Sequence, residues 1–409
     1  MSRSTDPGHF FQTEFVPTFL SSLSETARKT SKSKNNKGNP VKLPSKILAV
    51  AADPHDHALI YVAEAAGTIK KLNPEVGQIS IIEFPLALST RYPAEPRAGD
   101  VVATYTGPVA PLTSVAVSSR SDTVFAGCWD KSVWSWDRKT RKVGRRFQGH
   151  ADFVKAVLVF TLQGRELLVS GSADATIILW DVASGEKLHT LKGHTRGVLA
   201  LALDPAEYDS AKEAVLLFSA GSDREIRRWR VGVGAAAEVK DASGPILVHE
   251  TSVDAVHFDS DGDMWTASAD KTAKCLSRSR NWDEDSQFEH PDYVRDVAVD
   301  EDGGWVVTAC RDEEVRVWEK GSGKLHHIFS GHFEEVTALV LLEGQKVISV
   351  SIDGTVRTWS LKAKDLAAAI KEAEDEKAGK VEEKVEENKF GVLTEDEEAE
   401  LAALMDESE

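Results

Sequence analysis

A chain of 409 residues with 41% hydrophobic residues, 28% charged residues and a net charge of −17 has apolar material for a sizeable core, and its acidity argues against unspecific binding to a phosphate backbone. No stretch reaches the ~20 consecutive apolar residues of a membrane helix, and Met1–Leu20 lacks the basic start and apolar run of a secretory signal, so a soluble intracellular protein, cytoplasmic or nuclear, is expected. The three scattered cysteines, Cys128, Cys275 and Cys310, suit neither a disulfide framework nor a zinc site and read as reduced core residues.

Charge divides the chain into three. Residues 1–46 carry eight Lys/Arg against three Asp/Glu, residues 362–409 carry seven against seventeen, and the middle is mildly acidic. Within residues 1–25 the run His9–Val16 (HFFQTEFV) is extended and aromatic, a candidate strand. Residues 26–46 are polar and basic and read as a flexible linker; a nuclear-import signal or a nucleic-acid contact is the alternative.

Residues 47–361 repeat at roughly 40 residues. Two degenerate units come first, Ile47–Leu86 with GTIKKLN as third strand and Pro108–Phe147 with CWDKSVWSWD. Gly149-His150 to Trp180-Asp181 is the clearest unit, its AVLVFTL and LLVSGSADATIILWDV being short Val/Ile/Leu runs bounded by Gly, Ser or Asp turns, as strands are. Further units run from Gly193-His194 to Trp229, His249 to Leu276, His290 to Trp318 and Gly331-His332 to Trp359. Inter-strand breaks are expected near 90–100, 204–212 and 232–243. A fixed register ties the units together: Asp130/Trp136, Asp174/Trp180, Asp223/Trp229, Asp312/Trp318 and Asp353/Trp359 are all six apart, and Asp270/Leu276 keeps the spacing without the Trp. Four residues before each Asp stands Ser170, Ser219, Thr266, Thr308 or Ser349, with Ala126 the exception.

A Gly-His start and a Trp-Asp end around four strands resemble the WD-repeat family, and the resemblance implies an all-β, seven-bladed β-propeller. It also implies one hydrogen-bonded tetrad per blade. Carried over, these are His150, Ser170, Asp174 and Trp180; His194, Ser219, Asp223 and Trp229; His290, Thr308, Asp312 and Trp318; and His332, Ser349, Asp353 and Trp359. The physics agrees, because a buried turn Asp is tolerable only with donors from amides and an imidazole. These trios superficially resemble a hydrolase relay but are read as structural.

The seventh unit shows three strands, so an outer strand must come from elsewhere. His9–Val16 is expected there, as the N-terminal strand closure that removes an open edge, with a separate docking peptide as the alternative. From residue 362 to 409 helix formers dominate, with Lys and Glu three or four apart, and a second short helix is expected from Thr394, where Glu397 completes a capping-box spacing and Leu401, Leu404 and Met405 share a face. This acidic helical tail is a docking peptide or a solubilising tail.

In such propellers the residues before the first strand and in the turn between the second and third strands form a binding face. Here these positions hold Trp129, Phe153, Tyr293, Arg311, Phe333 and Glu335, and aromatic and Arg side chains are what binding hot spots are made of. With no Walker loop, zinc spacing or nucleophile elbow, no enzyme activity, cofactor or metal is expected. The leading reading is an adaptor or scaffold subunit, a monomeric propeller within a larger complex that binds other proteins or peptides. The alternatives are a substrate receptor of a cullin-type ubiquitin ligase, suggested by Trp136-Asp137 followed by Arg138 and Lys139, and an assembly factor contacting ribosomal protein or RNA.

Overall fold

A computed structural model describes residues 28–30, 32–74, 101–240 and 244–390. Its strands form seven four-stranded antiparallel sheets, the blades of a propeller within the unit Met1–Trp359. From inside outward, blade 3 is Val154–Leu162, Arg165–Ser172, Thr176–Asp181 and Lys187–Lys192. Blades 1, 2 and 4–7 begin at the inner strands Ile47–Ala52, Leu112–Val117, Val198–Leu203, Val253–Phe258, Val294–Asp300 and Val336–Leu342. Each inner strand touches the next around the circle, and that of blade 7 touches that of blade 1, so the ring closes.

Burial explains the sequence pattern of the strands. The two middle strands are covered on both faces, so Arg165–Ser172 and Thr176–Asp181 are almost continuously buried and apolar. Outer strands face solvent and keep one anchor each: Phe147, Leu191, Phe288 and Phe329 are the buried members of strands otherwise exposed or half-buried. Three of these anchors reach across to the next blade's Trp. Phe147 meets Trp180 at 5.7 Å between ring centroids, Phe288 meets Trp318 at 5.4 Å, and Phe329 stacks on Trp359 at 4.7 Å. Large aromatic area at every such seam binds blades that share no backbone ladder.

The ring is closed by an N-terminal strand, but from a different place than expected. Val41–Lys42 pairs with Thr355–Ser360 as the outer strand of blade 7, in register Val41 with Val356. His9–Val16 lies outside the described residues. The stretch read as a flexible linker is therefore tied down: Arg357 donates to the carbonyls of Asn35 (3.1 Å) and Lys37, the Thr358 amide donates to Gly38 O (2.8 Å), and the Leu43 amide donates to Gly354 O (2.7 Å). Polar composition misled here because backbone groups make most of these bonds.

Two unit boundaries also differ. The outer strand of blade 1 is Val101–Tyr105, beyond Leu86, and the break at 232–243 holds the outer strand of blade 4, Ala236–Glu238. The break at 204–212 is a turn-rich connection between Val198–Leu203 and Ala214–Gly221. A second unit, Ser360–Glu409, contains the helix Ala363–Phe390 with Asp365 in its first turn; the helix expected from Thr394 lies outside the described residues. Among the described residues no helix is long and apolar enough to cross a membrane.

Candidate protein-interaction face

In blade 3 the Trp180 indole N–H donates to Ser170 Oγ (2.9 Å), Ser170 Oγ lies 2.8 Å from His150 Nε2, and His150 Nδ1 lies 3.1 Å from Asp174. Blades 4 and 7 repeat the chain through Trp229, Ser219, His194 and Asp223 and through Trp359, Ser349, His332 and Asp353, at 2.7–3.0 Å. Read in donor order, the proton sequence runs Trp to Ser to His to Asp and suits a neutral imidazole carrying Nδ1–H. Burial agrees, holding His150, His194 and His332 below the usual imidazole range. Burial alone would raise the Asp174 carboxyl, but bonds from Thr176, the Ala151 amide and His150 hold it below the usual carboxylate range. Although an Asp–His–Ser relay is geometrically present, Ser170, Ser219 and Ser349 are 0% exposed, so no substrate can reach their hydroxyls.

The remaining blades depart from the pattern, each for a local reason. In blade 6 His290 keeps Thr308 (2.7 Å) and Trp318 keeps Thr308 (2.9 Å), but His290 Nδ1 turns to the Phe288 carbonyl (3.1 Å) and not to Asp312. Asp312 is instead held by the buried guanidinium of Arg316, which displaces the imidazole contact expected from the sequence; burial and that cation push His290 down to about 4. Blade 5 forms the chain without the Trp, through His249, Thr266 and Asp270. In blade 2, which lacks both the His and the hydroxyl, Asp130 takes the Trp134 indole (2.8 Å) and Arg146 (2.8 Å), and Trp136 turns to the Thr106 carbonyl (2.9 Å).

One backbone bond is common to all seven blades, including those whose signature has decayed. The residue before the turn carboxylate, or its equivalent, donates its amide to the carbonyl of the residue before the inner strand: Ala65 to Lys46, Trp129 to Pro111, Ala173 to Phe153, Ser222 to Gly197, Ala269 to Ser252, Arg311 to Tyr293 and Ile352 to Glu335, at 2.8–3.1 Å. These two positions per blade define one face. Small residues in blades 4 and 5 (Ser222, Ser252, Ala269) leave a hollow of about 680 Å³, lined also by Arg196, Arg224, Asp223, Glu250 and Tyr293. On one side, Trp129 stacks on Phe153 across a blade seam, with centroids 5.0 Å apart and planes 14° apart, and remains 39% exposed. Beyond the hollow, Arg311 lies over Tyr293 at 5.1 Å. Phe333 is half-buried, and its amide donates to Asp353 (3.2 Å).

Sequence reasoning missed the residue that follows the first position of each inner strand. Every inner strand shows a register shift there, which frees Lys155, Asp254 and Arg295 from the ladder. Arg295 bridges Asp254 (3.0 Å) and Glu335 from the two neighbouring blades. Lys155, across the ring, has its ammonium 5.5 Å from the Trp129 ring centroid, and burial together with Arg295 lowers its pKa. Lys155 and Arg295 thus occupy equivalent bulge positions on the inner strands of blades 3 and 6, with Lys155 beside the aromatic stack. Arg138 and Lys139, which suggested the ligase reading, both pair with Asp122, at 2.6 and 2.5 Å.

Comparison with known proteins fits this architecture. The family model "WD domain, G-beta repeat" matches residues 99–137, 141–181, 185–230, 284–319 and 323–360. An uncharacterized WD repeat-containing protein of Schizosaccharomyces pombe is 31% identical over 387 residues, which cover 91% of this chain and 93% of that protein. Nuclear distribution protein nudF of Aspergillus niger is 35% identical over 46% of this chain and 40% of its own length. Autophagy-related protein 16 of Arabidopsis thaliana is 22% identical over 63% of this chain and 49% of its own length.

Proposed function

The chain belongs to the WD-repeat family, and we propose on that footing that it serves as an adaptor or scaffold subunit whose protein partners seat on the face carrying Trp129, Phe153, Tyr293, Arg311 and Phe333. The observation that carries this reading is Trp129. A Trp that is 39% exposed, braced by Phe153 and flanked by Lys155, is a large rigid surface that loses little entropy on binding. The adjoining hollow supplies a concave seat lined by hydroxyls, guanidinium groups and the carboxylates of Asp223 and Glu250, and Tyr293 with Arg311 supplies a second anchor on its far side. The aromatic pieces bury apolar area while the polar groups fix orientation, which is how a folded platform takes peptides.

The paired substitution Trp129→Ala with Arg311→Ala tests the reading by affinity purification and mass spectrometry. Melting near that of wild type with loss of the main co-purifying partner is expected, since truncating a hot spot costs about 2 kcal/mol, roughly thirtyfold in affinity. Recovery of every partner at wild-type levels moves the binding surface elsewhere.

A further inference from the structure

The rim of blades 6 and 7 carries a second, chemically different surface. In the turn of blade 6, Glu313 holds a left-handed backbone (φ +77°) at the corner where blades 1 and 7 place Gly67 and Gly354 and blades 2, 4 and 5 place Lys131, Arg224 and Lys271. Its side chain is 9% exposed, yet it receives two basic side chains from the N-terminal segment. Arg28 forks onto it, Nη1 to Oε2 at 2.6 Å and Nη2 to Oε1 at 2.7 Å, and Lys32 adds a bond of 2.8 Å while also reaching Glu314 at 3.1 Å. From the blade 7 loop, Glu334 takes Lys29 at 2.8 Å. The other carboxylate oxygen of Glu314 is buried without a hydrogen-bond partner, so the cluster keeps acceptor capacity beyond what the segment fills.

The N-terminal segment is attached in two ways. Residues 35–43 are fastened through backbone carbonyls, amides and a strand ladder. Arg28, Lys29 and Lys32 meet the carboxylates through long side chains that remain 48%, 31% and 27% exposed. Charge pairs that reach solvent are screened by salt, whereas the backbone bonds and strand ladder of residues 35–43 are not, so the two attachments differ in their response to salt.

We propose that Glu313, Glu314 and Glu334 form a docking site for an Arg/Lys-rich segment of a partner protein, covered in cis by residues 28–32. The occupant seen in place defines the chemistry: a guanidinium fork for Glu313 and ammonium groups one and four residues further along for Glu334 and Glu314. A tethered competitor acts at a high effective concentration, so the site opens only to a partner that offers more contacts or when the basic segment is neutralised. The acidic cluster adjoins Arg311 and Phe333 in the same turns but differs from them in chemistry, and its test leaves both of those side chains in place.

The probe is a fluorescein-labelled peptide reproducing residues 26–37, titrated by fluorescence anisotropy against the full chain. Arg28→Ala with Lys29→Ala and Lys32→Ala should bind it about tenfold or more tightly than wild type, because the tethered competitor is gone. Binding should weaken by about tenfold between roughly 50 and 300 mM salt. Adding Glu313→Gln and Glu334→Gln to the triple variant should return binding to background with melting preserved. Hydrogen exchange on wild type gives a second measurement that needs no variant: rising salt should deprotect residues 28–32 while residues 38–43 stay protected. Equal affinity of wild type and the triple variant, absence of binding to the triple variant, binding that survives the amide substitutions, or co-release of residues 38–43 overturns the proposal.

Discussion

Asp174→Ala gives the sharpest measure of what one tetrad contributes. The carboxylate accepts from His150 Nδ1 (3.1 Å), the Ala151 amide (2.7 Å), the Thr176 amide (2.9 Å) and the Thr176 hydroxyl (2.6 Å). After truncation, water can reach the exposed Ala151 amide, and the Thr176 hydroxyl, 3.2 Å from His150 Nδ1, can turn to accept its proton. The Thr176 amide and the turn it organises have no replacement. Two compensated donors, the His150 and Ala151 N–H groups, and two that lose their acceptor, the Thr176 amide and hydroxyl, set against bonds to a charged acceptor, give a loss of about 2 to 4 kcal/mol. With an unfolding entropy near 2.1 cal/mol/K per residue over a body of roughly 320 residues, that is a fall in Tm of about 3 to 6 °C. Asp174→Asn keeps an acceptor for Thr176 but turns N–H groups toward His150 and Ala151, so its loss should be about half as large. Circular dichroism melts at pH 7.5, with a urea midpoint measured in parallel, read both variants. Wild-type melting in Asp174→Ala refutes the reasoning.

Acid should weaken the fold in two steps. Histidines that burial keeps neutral take up protons more readily when unfolded, so stability is full above the ordinary value of 6.5 and falls as pH drops toward about 4, where His290 titrates in the fold. His290 alone accounts for a loss on the order of 3 kcal/mol across that window, and Asp174, Asp223 and Asp353, held low in the fold, add a second loss below the ordinary carboxylate range. Melting that is flat between pH 7 and pH 4 contradicts this. Gly38→Ala should destabilise blade 7 by about 2 kcal/mol or more, because Gly38 holds φ +69° and an added Cβ would lie 2.7 Å from the Trp359 ring; an unchanged urea midpoint excludes it. The thiols of Cys128, Cys275 and Cys310 are buried and pushed up to about 12, so the native chain should not react with a disulfide reagent at pH 8 and should titrate all three thiols in denaturant.

The ring of blades was legible because its signal is local: the six-residue Asp–Trp spacing measures one turn and one strand, and it stays in phase even where the Trp is lost at Leu276. What the sequence hid depends on partners far along the chain. Val41–Lys42 is too short to read as a strand inside a polar stretch, and only its pairing with Val356 makes it one. Asp312 has the right spacing for His290 but stands four residues from Arg316, and a guanidinium fork outcompetes an imidazole for a carboxylate. On the face proposed for binding, Trp129 and Arg311 are legible from their turn positions, whereas Lys155 and Arg295 are not, because the bulge that frees them from the inner strands leaves no mark in composition.

The pairing of Val41 with Val356 also sets a timetable for synthesis. Blades 1 to 6 draw each of their strands from one continuous stretch and can assemble as they leave the ribosome. The last blade cannot, since its outer strand emerges first and must wait for a mate roughly 300 residues later, which at ordinary elongation rates is about 15 to 60 s. During that interval residues 41–42 and the half-built ring present unpaired backbone to solvent. The N-terminal tether thus acts as a completion mark, since only a chain translated through blade 7 can fasten it.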